Sequence, residues 1–257
     1  MCTWYLEVIQ IFTLLGYTVS LADKAVLYKF GHGTFSIVVV ATDNFTIISE
    51  SDGSTELLKQ KFCKHWGITD LGPISWLLGI KITCNLKAKT ISLSQQSYVK
   101  QILVCFQLEN AQPAIMPLEA GVDLSLESPS VLPTPLTPLE KRTYCELIGL
   151  LMYVTVMTHP DLTFAVSTLS QYLGSPCTTH LRAVTQVFRY LLSTKKLKLV
   201  LGGTQNEITS YPDADWASHI HCHSISGFVY FISAGIVSWS CKKQQIVTLM
   251  HASKDIL

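Results

Sequence analysis

Two periods alternate along the chain, and each change of period marks a new element. Near the start Leu6, Ile9, Ile11, Phe12 and Leu15 fall on one wide apolar face of a helix. Gly16 stops it, since glycine suits the first position beyond a helix. Ala25 to Phe30 reads as a short strand, and Gly31-His32-Gly33 as a turn. Phe35 to Ile48 is β-branched and aromatic, with Thr42-Asp43-Asn44 breaking it in the middle. Two strands joined by a short polar stretch form a hairpin, and its tip presents Asp43. Ser54 to Trp66 follows as a helix with Glu56 in its first turn, then Asp70-Leu71-Gly72-Pro73 as a turn.

Trp76 to Thr83 and Thr90 to Ser94 predict a strand pair around a turn at Asn85 to Lys89, and Gln95 to Phe106 an amphipathic helix. Residues 112–138 hold six of the ten prolines, which suits a linker. Three helical patterns come next, Pro138 to Val156, Pro160 to Tyr172 and Thr178 to Ser193, and short joins make them a small bundle. After Lys195-Lys196 the period returns to two. Leu197 to Leu201, Ile208 to Tyr211, Gly227 to Ile232 and Ile236 to Ser240 predict an antiparallel meander opening a second α/β region. The fold class is therefore α+β.

Composition narrows the options. Apolar residues make up 48% of the 257 positions and charged residues 14%, which supports a buried core and excludes global disorder. The net charge is +1, so any channel that neutralises nucleic-acid phosphates must be local. The eight cysteines include no C-x-x-C pair, which fits reduced thiols in an intracellular protein, cytoplasmic or nuclear. No Lys or Arg precedes Lys24, so the basic start of a signal peptide is missing, and the chain is expected to be neither secreted nor membrane-bound. Nothing in the sequence establishes a small-molecule substrate. His219-Ile220-His221-Cys222-His223 has no second ligand pair nearby, which favours a solvated loop over a zinc site.

A series of short motifs is more specific. Asp70-Leu71-Gly72-Pro73-Ile74 is followed by Leu77-Leu78-Gly79-Ile80, then by Ile91-Ser92-Leu93-Ser94-Gln95 with Tyr98. Tyr144 to Tyr153 fits Y-x-x-x-I-G-x-L-x-Y, and Thr158 to Val166 fits T-R-P-D-I-x-F-A-V with His159 in the arginine position. Ser210 to Ala217 fits S-D-A-D-W-A with Pro212 in the serine place, and Ser224 to Tyr230, Ser238-Trp239-Ser240 and Lys242-Lys243-Gln244 complete the order. In order and spacing, over nearly the whole chain, these resemble copia-type retrotransposon Pol polyproteins, from the reverse-transcriptase palm into RNase H, with the flavour of fungal members.

The resemblance implies a partial palm and primer-grip region at 1–111, the Pro-rich linker at 112–137, a helical thumb-like region at 138–196 and a truncated RNase H-like domain at 197–257. It also implies Mg²⁺, and an RNA–DNA hybrid or primer–template duplex as partner, with Arg182 and Arg189 on one face of a thumb helix gripping the duplex. Two-metal polymerisation needs several carboxylates. Asp43 matches the first aspartate of the family hairpin, and Asn44 stands in place of the second. Asp213 matches the first RNase H acid, and Asp215 shares its strand face. The next family acid is expected after Ile246-Val247-Thr248-Leu249, where the chain runs on through Met250 to Asp255. A loss of roughly nine residues at that junction would remove it, on ~3.6 residues per helical turn; the alternative alignment puts Asp255 in its place. The expectation is a degenerate, truncated and catalytically inactive fragment with vestigial Asp43 and Asp213. A sheet face left uncovered in the RNase H portion also predicts poor solubility.

Overall fold

The structure is a computed structural model that describes residues 3–31, 34–42, 44–119, 122, 124, 134–204, 207–214 and 224–244. The chain is mixed α and β with antiparallel sheets, and divides into two compact units, Met1–Ile74 and Ser75–Leu257.

In the first unit, α1 (Thr3–Leu14) is followed by β1 (Thr18–Val19), β2 (Val26–Gly31), β3 (Thr34–Ala41), β4 (Asn44–Ser49) and α2 (Asp52–His65). The four strands form one antiparallel sheet in sequence order. Gly16 takes φ +82, as its position past α1 requires. The Gly16 amide donates to the Thr13 carbonyl at 2.9 Å and the Tyr17 amide to that of Phe12 at 2.9 Å. The Phe12 and Tyr17 rings then meet edge-on at 5.2 Å, completing a Schellman cap with its hydrophobic contact.

The buried stripe of α1 is narrower than its sequence implies. Val8 and Phe12 are buried, with Trp4, Ile9 and Leu15 packed beside them, whereas Leu6 points outward and is 51% exposed. The stripe Trp4, Val8 and Phe12, spaced four residues apart and flanked by Ile9 and Leu15, packs with Leu27, Val38 and Val40 of the sheet. Helix α2 starts two residues earlier than expected, because Ser51 Oγ accepts from the Ser54 amide at 3.3 Å and caps it.

The second unit holds β5 (Trp76–Leu77), β6 (Ile80–Asn85), β7 (Thr90–Ser94), α3 (Gln96–Cys105), α4 (Pro138–Met157), a 3₁₀ turn (Pro160–Leu162), α5 (Thr163–Ser170), α6 (Thr178–Thr194), β8 (Leu199–Gly202), β9 (Ile208–Ala214), β10 (Ile225–Ile232) and β11 (Gly235–Lys243). Helices α3 to α6 share one core that includes Leu103, Leu151, Leu169, Val184, Phe188 and Leu191. Thr137 and Glu140 form a capping box at the start of α4, with Pro138 in the first turn. Hydrogen bonds from the Thr137 hydroxyl and amide hold the Glu140 carboxyl below its ordinary range. Tyr144 inside α4 donates to the Leu169 carbonyl at 2.6 Å.

Three sequence expectations need correction here. The run from Trp76 to Thr83 is two strands, because Leu78 (φ 49) and Gly79 (φ 78) are both left-handed and turn the chain back so that Leu77 pairs with Ile80. The strand expected to open the C-terminal meander, β8, pairs instead with β7, Leu199 opposite Leu93, and completes the order β5-β6-β7-β8. The described part of the Pro-rich stretch is also no free spacer. Ala114 and Leu124 are buried, and the Ala114 amide donates to the Arg189 carbonyl of α6 at 3.1 Å.

The remaining sheet has the order β11-β10-β9. Pro212 sits in β9, an edge strand, where a missing N–H is tolerated. The Trp239 indole of β11 donates to the Thr155 carbonyl of α4 at 3.1 Å, so the meander is tied to the helices. A cleft of about 610 Å³ lies between them, lined by Met152, Val166, Phe228 and Trp239 among others.

Gly202 (φ +94) tests the placement of β8, since a Cβ there would collide with the Lys89 carbonyl oxygen. Gly202→Ala is expected to destabilise the second unit by about 3 kcal/mol, read as a lower urea midpoint. An unchanged midpoint would remove β8 from this sheet.

Candidate metal and nucleic-acid sites

The β3–β4 hairpin is built so that its tip is held from below. Ala41 pairs with Asn44, which leaves two residues in the loop, and Thr42 adopts φ 53. That left-handed geometry belongs to the tight turns that match strand twist. The Trp4 indole donates to the Thr42 carbonyl at 3.0 Å, pinning the tip to α1. Trp4, Phe12, Phe45, Phe62 and Trp66 form a ring cluster beneath it, with centroids 4.9–6.4 Å apart. Asn44 begins β4 and is exposed; Asp43 lies outside the described residues.

Asp213 lies in β9 opposite Gly227 of β10, exposed to solvent. Directly opposed residues share a sheet face, so Asp213, Gly227 and Cys241 stand in one row, with Tyr211, Val229 and Trp239 in the next. Asp215, Asp255, the histidines at 219, 221 and 223, the stretch 245–257, and His32 and Gly33 of the first expected turn are also outside the described residues. Among the described residues, no three His, Cys, Asp or Glu side chains group as metal ligands, and no helix is long and apolar enough to cross a membrane.

The basic side chains are distributed unevenly. No Asp or Glu occurs at 71–108 or at 162–206, and the β7–β8 pairing brings these two windows into one sheet. Lys81, Lys87, Lys89, Lys100, Arg182, Lys196 and Lys198 are exposed or partly exposed within them. Arg189, expected to face a duplex, is spent within the fold: its Nε donates to the Gln112 carbonyl at 2.6 Å and its Nη1 to Gln186 Oε1 at 3.2 Å.

One polar cluster was missed from the sequence. Thr158, just past α4, donates to Gln95 Oε1 at 2.7 Å and lies 2.8 Å from His159 Nδ1, and all three residues are buried. With its own proton given to Gln95, the Thr158 hydroxyl must accept from His159, so the imidazole carries its proton on Nδ1. Burial pushes the His159 pKa down, and nearby Asp161 opposes this weakly. The Asp161 carboxylate itself accepts from Tyr190 at 2.7 Å, and the Tyr190 hydroxyl is pushed up to about 12, by burial first and then by that bond. Gln95 and Thr158-His159 belong to two different motifs, and neither motif signals by itself that the two must meet.

Antiparallel sheets backed by helices define a mixed α+β class, and comparison with known proteins narrows it. Residues 1–120 match the family model described as reverse transcriptase (RNA-dependent DNA polymerase). Over 99% of its length the chain is 31% identical to the retrovirus-related Pol polyprotein from transposon TNT 1-94 of Nicotiana tabacum, of which it covers 19%. It is 28% identical over 94% of its length to that from transposon RE2 of Arabidopsis thaliana, of which it covers 16%. It is also 42% identical, over 44% of its length, to 82% of secreted RxLR effector protein 161 of Plasmopara viticola. No solved structure matches. The chain belongs to the copia-type retrotransposon Pol polyproteins and is a fragment of their reverse-transcriptase region, spanning less than a fifth of the first relatives' length.

Thr158→Val is expected to strand Gln95 Oε1 and His159 Nδ1 without partners, at about 3 kcal/mol in denaturant unfolding. Adding Gln95→Leu and His159→Leu removes the stranded groups and should recover much of that loss. A Thr158→Val cost below about 0.5 kcal/mol would show that the three do not act as a unit.

Proposed function

We propose that this fragment retains a nucleic-acid-holding surface of a copia-type reverse transcriptase and RNase H but does not turn over. In this assignment the hairpin unit is palm, the α4–α6 helices are thumb-like, the β9–β11 meander is the start of RNase H, and the protein works inside the cell, in cytoplasm or nucleus. The observation that carries the loss of turnover is Asn44, exposed at the head of β4 beside the hairpin tip. A neutral amide does not balance the charge of a hard dication, and two magnesium ions need shared carboxylates. Among the described residues, the donors offered by Asn44 and by the exposed Asp213 on its edge strand do not fit a paired Mg²⁺ site. No chemical step is therefore assigned to either position.

The retained binding rests on the acid-free windows. Lysines from the β6–β7 turn, Lys87 and Lys89, and from the approach to β8, Lys196 and Lys198, flank a sheet that has no acid to oppose phosphates. Phosphate neutralisation of this kind is local and independent of base sequence. A second possibility, a residual Mg²⁺-dependent nuclease using Asp213, Asp215 and Asp255, is separated from the first by its product.

The test is an RNA–DNA hybrid offered to the full chain at several salt concentrations. Binding should weaken as salt rises. Replacing Lys195, Lys196 and Lys198 by Gln should flatten the slope by roughly 0.9 for each phosphate no longer neutralised. No cleavage is expected with Mg²⁺; cleavage that Asp213→Asn abolishes would overturn the inactive assignment. Failure to shift the hybrid at low salt would remove the binding role.

A further inference from the structure

The stretch from Gln112 to Leu124, described at 112–119, 122 and 124, is held along α6 almost entirely through its carbonyl oxygens. Arg189 Nε donates to Gln112 at 2.6 Å, Ser193 Oγ to Ala114 at 2.9 Å, Gln186 Nε2 to Met116 at 3.2 Å and His180 Nε2 to Leu124 at 2.8 Å. Four side chains of one helix thus hold four backbone carbonyls of the strap.

His180 differs from the other three. It is fully buried, and its second nitrogen, Nδ1, accepts from the Cys177 amide at 3.1 Å, closing a capping box at the start of α6. The imidazole must therefore be neutral with its proton on Nε2, because one ring nitrogen accepts while the other donates. The Tyr172 ring stacks on it at 3.9 Å, and Tyr144 of α4 lies 6.5 Å away.

We propose that His180 is a proton-operated latch: protonation at Nδ1 sets two donors against each other at Cys177, the ring leaves its place, and the strap is released from α6. Among the described residues, the titratable groups facing the ring are Tyr172, Tyr144 and Cys177, with no carboxylate among them to accommodate an imidazolium. Burial also lowers the His180 pKa, and the Leu124 carbonyl opposes this only in part. The sign follows. A histidine with a depressed folded pKa leaves the latch intact above its unfolded value, about 6.5, and weakens it as pH falls below that.

Hydrogen exchange of the full chain, read by mass spectrometry at pH 7.5 and 5.0 and corrected for intrinsic rates, tests this. The bonded Ala114 amide of the strap and the Cys177 amide held by His180, read in peptides spanning 112–119 and 175–182, should lose protection by up to about thirtyfold at pH 5.0, the limit set by 1.5 pH units below the free-histidine value. Peptides from 147–155, in the core of α4, should stay protected. His180→Phe keeps a ring against Tyr172 but lacks both hydrogen bonds, and should leave the strap unprotected at either pH. His159→Gln removes the other imidazole buried among the described residues, and should leave the strap transition in place. Equal strap protection at both pH values in the parent protein overturns the latch. So does simultaneous loss in strap and core, a protected strap in His180→Phe at pH 7.5, or loss of the transition in His159→Gln.

Discussion

The second unit depends on the requirement that buried polar groups near the end of α4 find partners. Four connections converge there. The Tyr153 hydroxyl donates to the Leu78 carbonyl in the β5–β6 turn, and its ring meets Tyr98 of α3 edge-on at 4.9 Å. The Thr155 carbonyl takes the Trp239 indole of β11, and Thr158 reaches Gln95 ahead of α3. The Thr158–Gln95 bond is buried, the Trp239–Thr155 bond half-buried and the Tyr153–Leu78 bond exposed; a buried donor without an acceptor costs about 1–3 kcal/mol, so the first constrains its remote partner most. One helix thereby fixes the places of a hairpin, a second helix and the final sheet.

This convergence accounts for which sequence motifs stand out. Leu77 to Ile80, Gln95 with Tyr98, Tyr144 to Tyr153, Thr158 to Asp161 and Ser238-Trp239-Ser240 are far apart in the chain, yet each supplies a group to α4 or to the residues just past it. The motifs are a packing framework rather than a set of reacting groups. Of the acids expected to do chemistry, the one among the described residues, Asp213, lies elsewhere, on an edge strand. Such a framework is held by stability, independently of any chemistry the chain performs.

What was legible in the sequence divides along the same physical line. Period, glycine and proline fix local elements, so the β3–β4 hairpin, α3, α4 and α6 appear close to where the pattern puts them. The Leu78-Gly79 turn was hidden because leucine seldom takes a positive φ, and only the pairing of Leu77 with Ile80 demands it. The partner of β8 was hidden because strand pairing is a long-range choice that alternation does not encode. The strap was misread for a related reason. Prolines exclude helix and central strand, but say nothing against a segment bound through its carbonyls.

His159 shows how a single substitution can keep a framework while altering its electrostatics. The motif it sits in carries arginine at that place, and arginine keeps its charge at any pH a protein meets. Here the position is only 2% exposed, and the one acid acting on it, Asp161, is already bonded to Tyr190. A permanent cation there would need a counter-charge that is committed elsewhere, and an unpaired buried charge is far costlier than an unpaired dipole. A neutral imidazole avoids that cost and still serves Thr158 through Nδ1, leaving Nε2 buried with no partner among the described residues. The network therefore survives as a chain of neutral hydrogen bonds. Its weakness has moved to acid pH, where the imidazole would charge in a place that offers no free anion among the described residues.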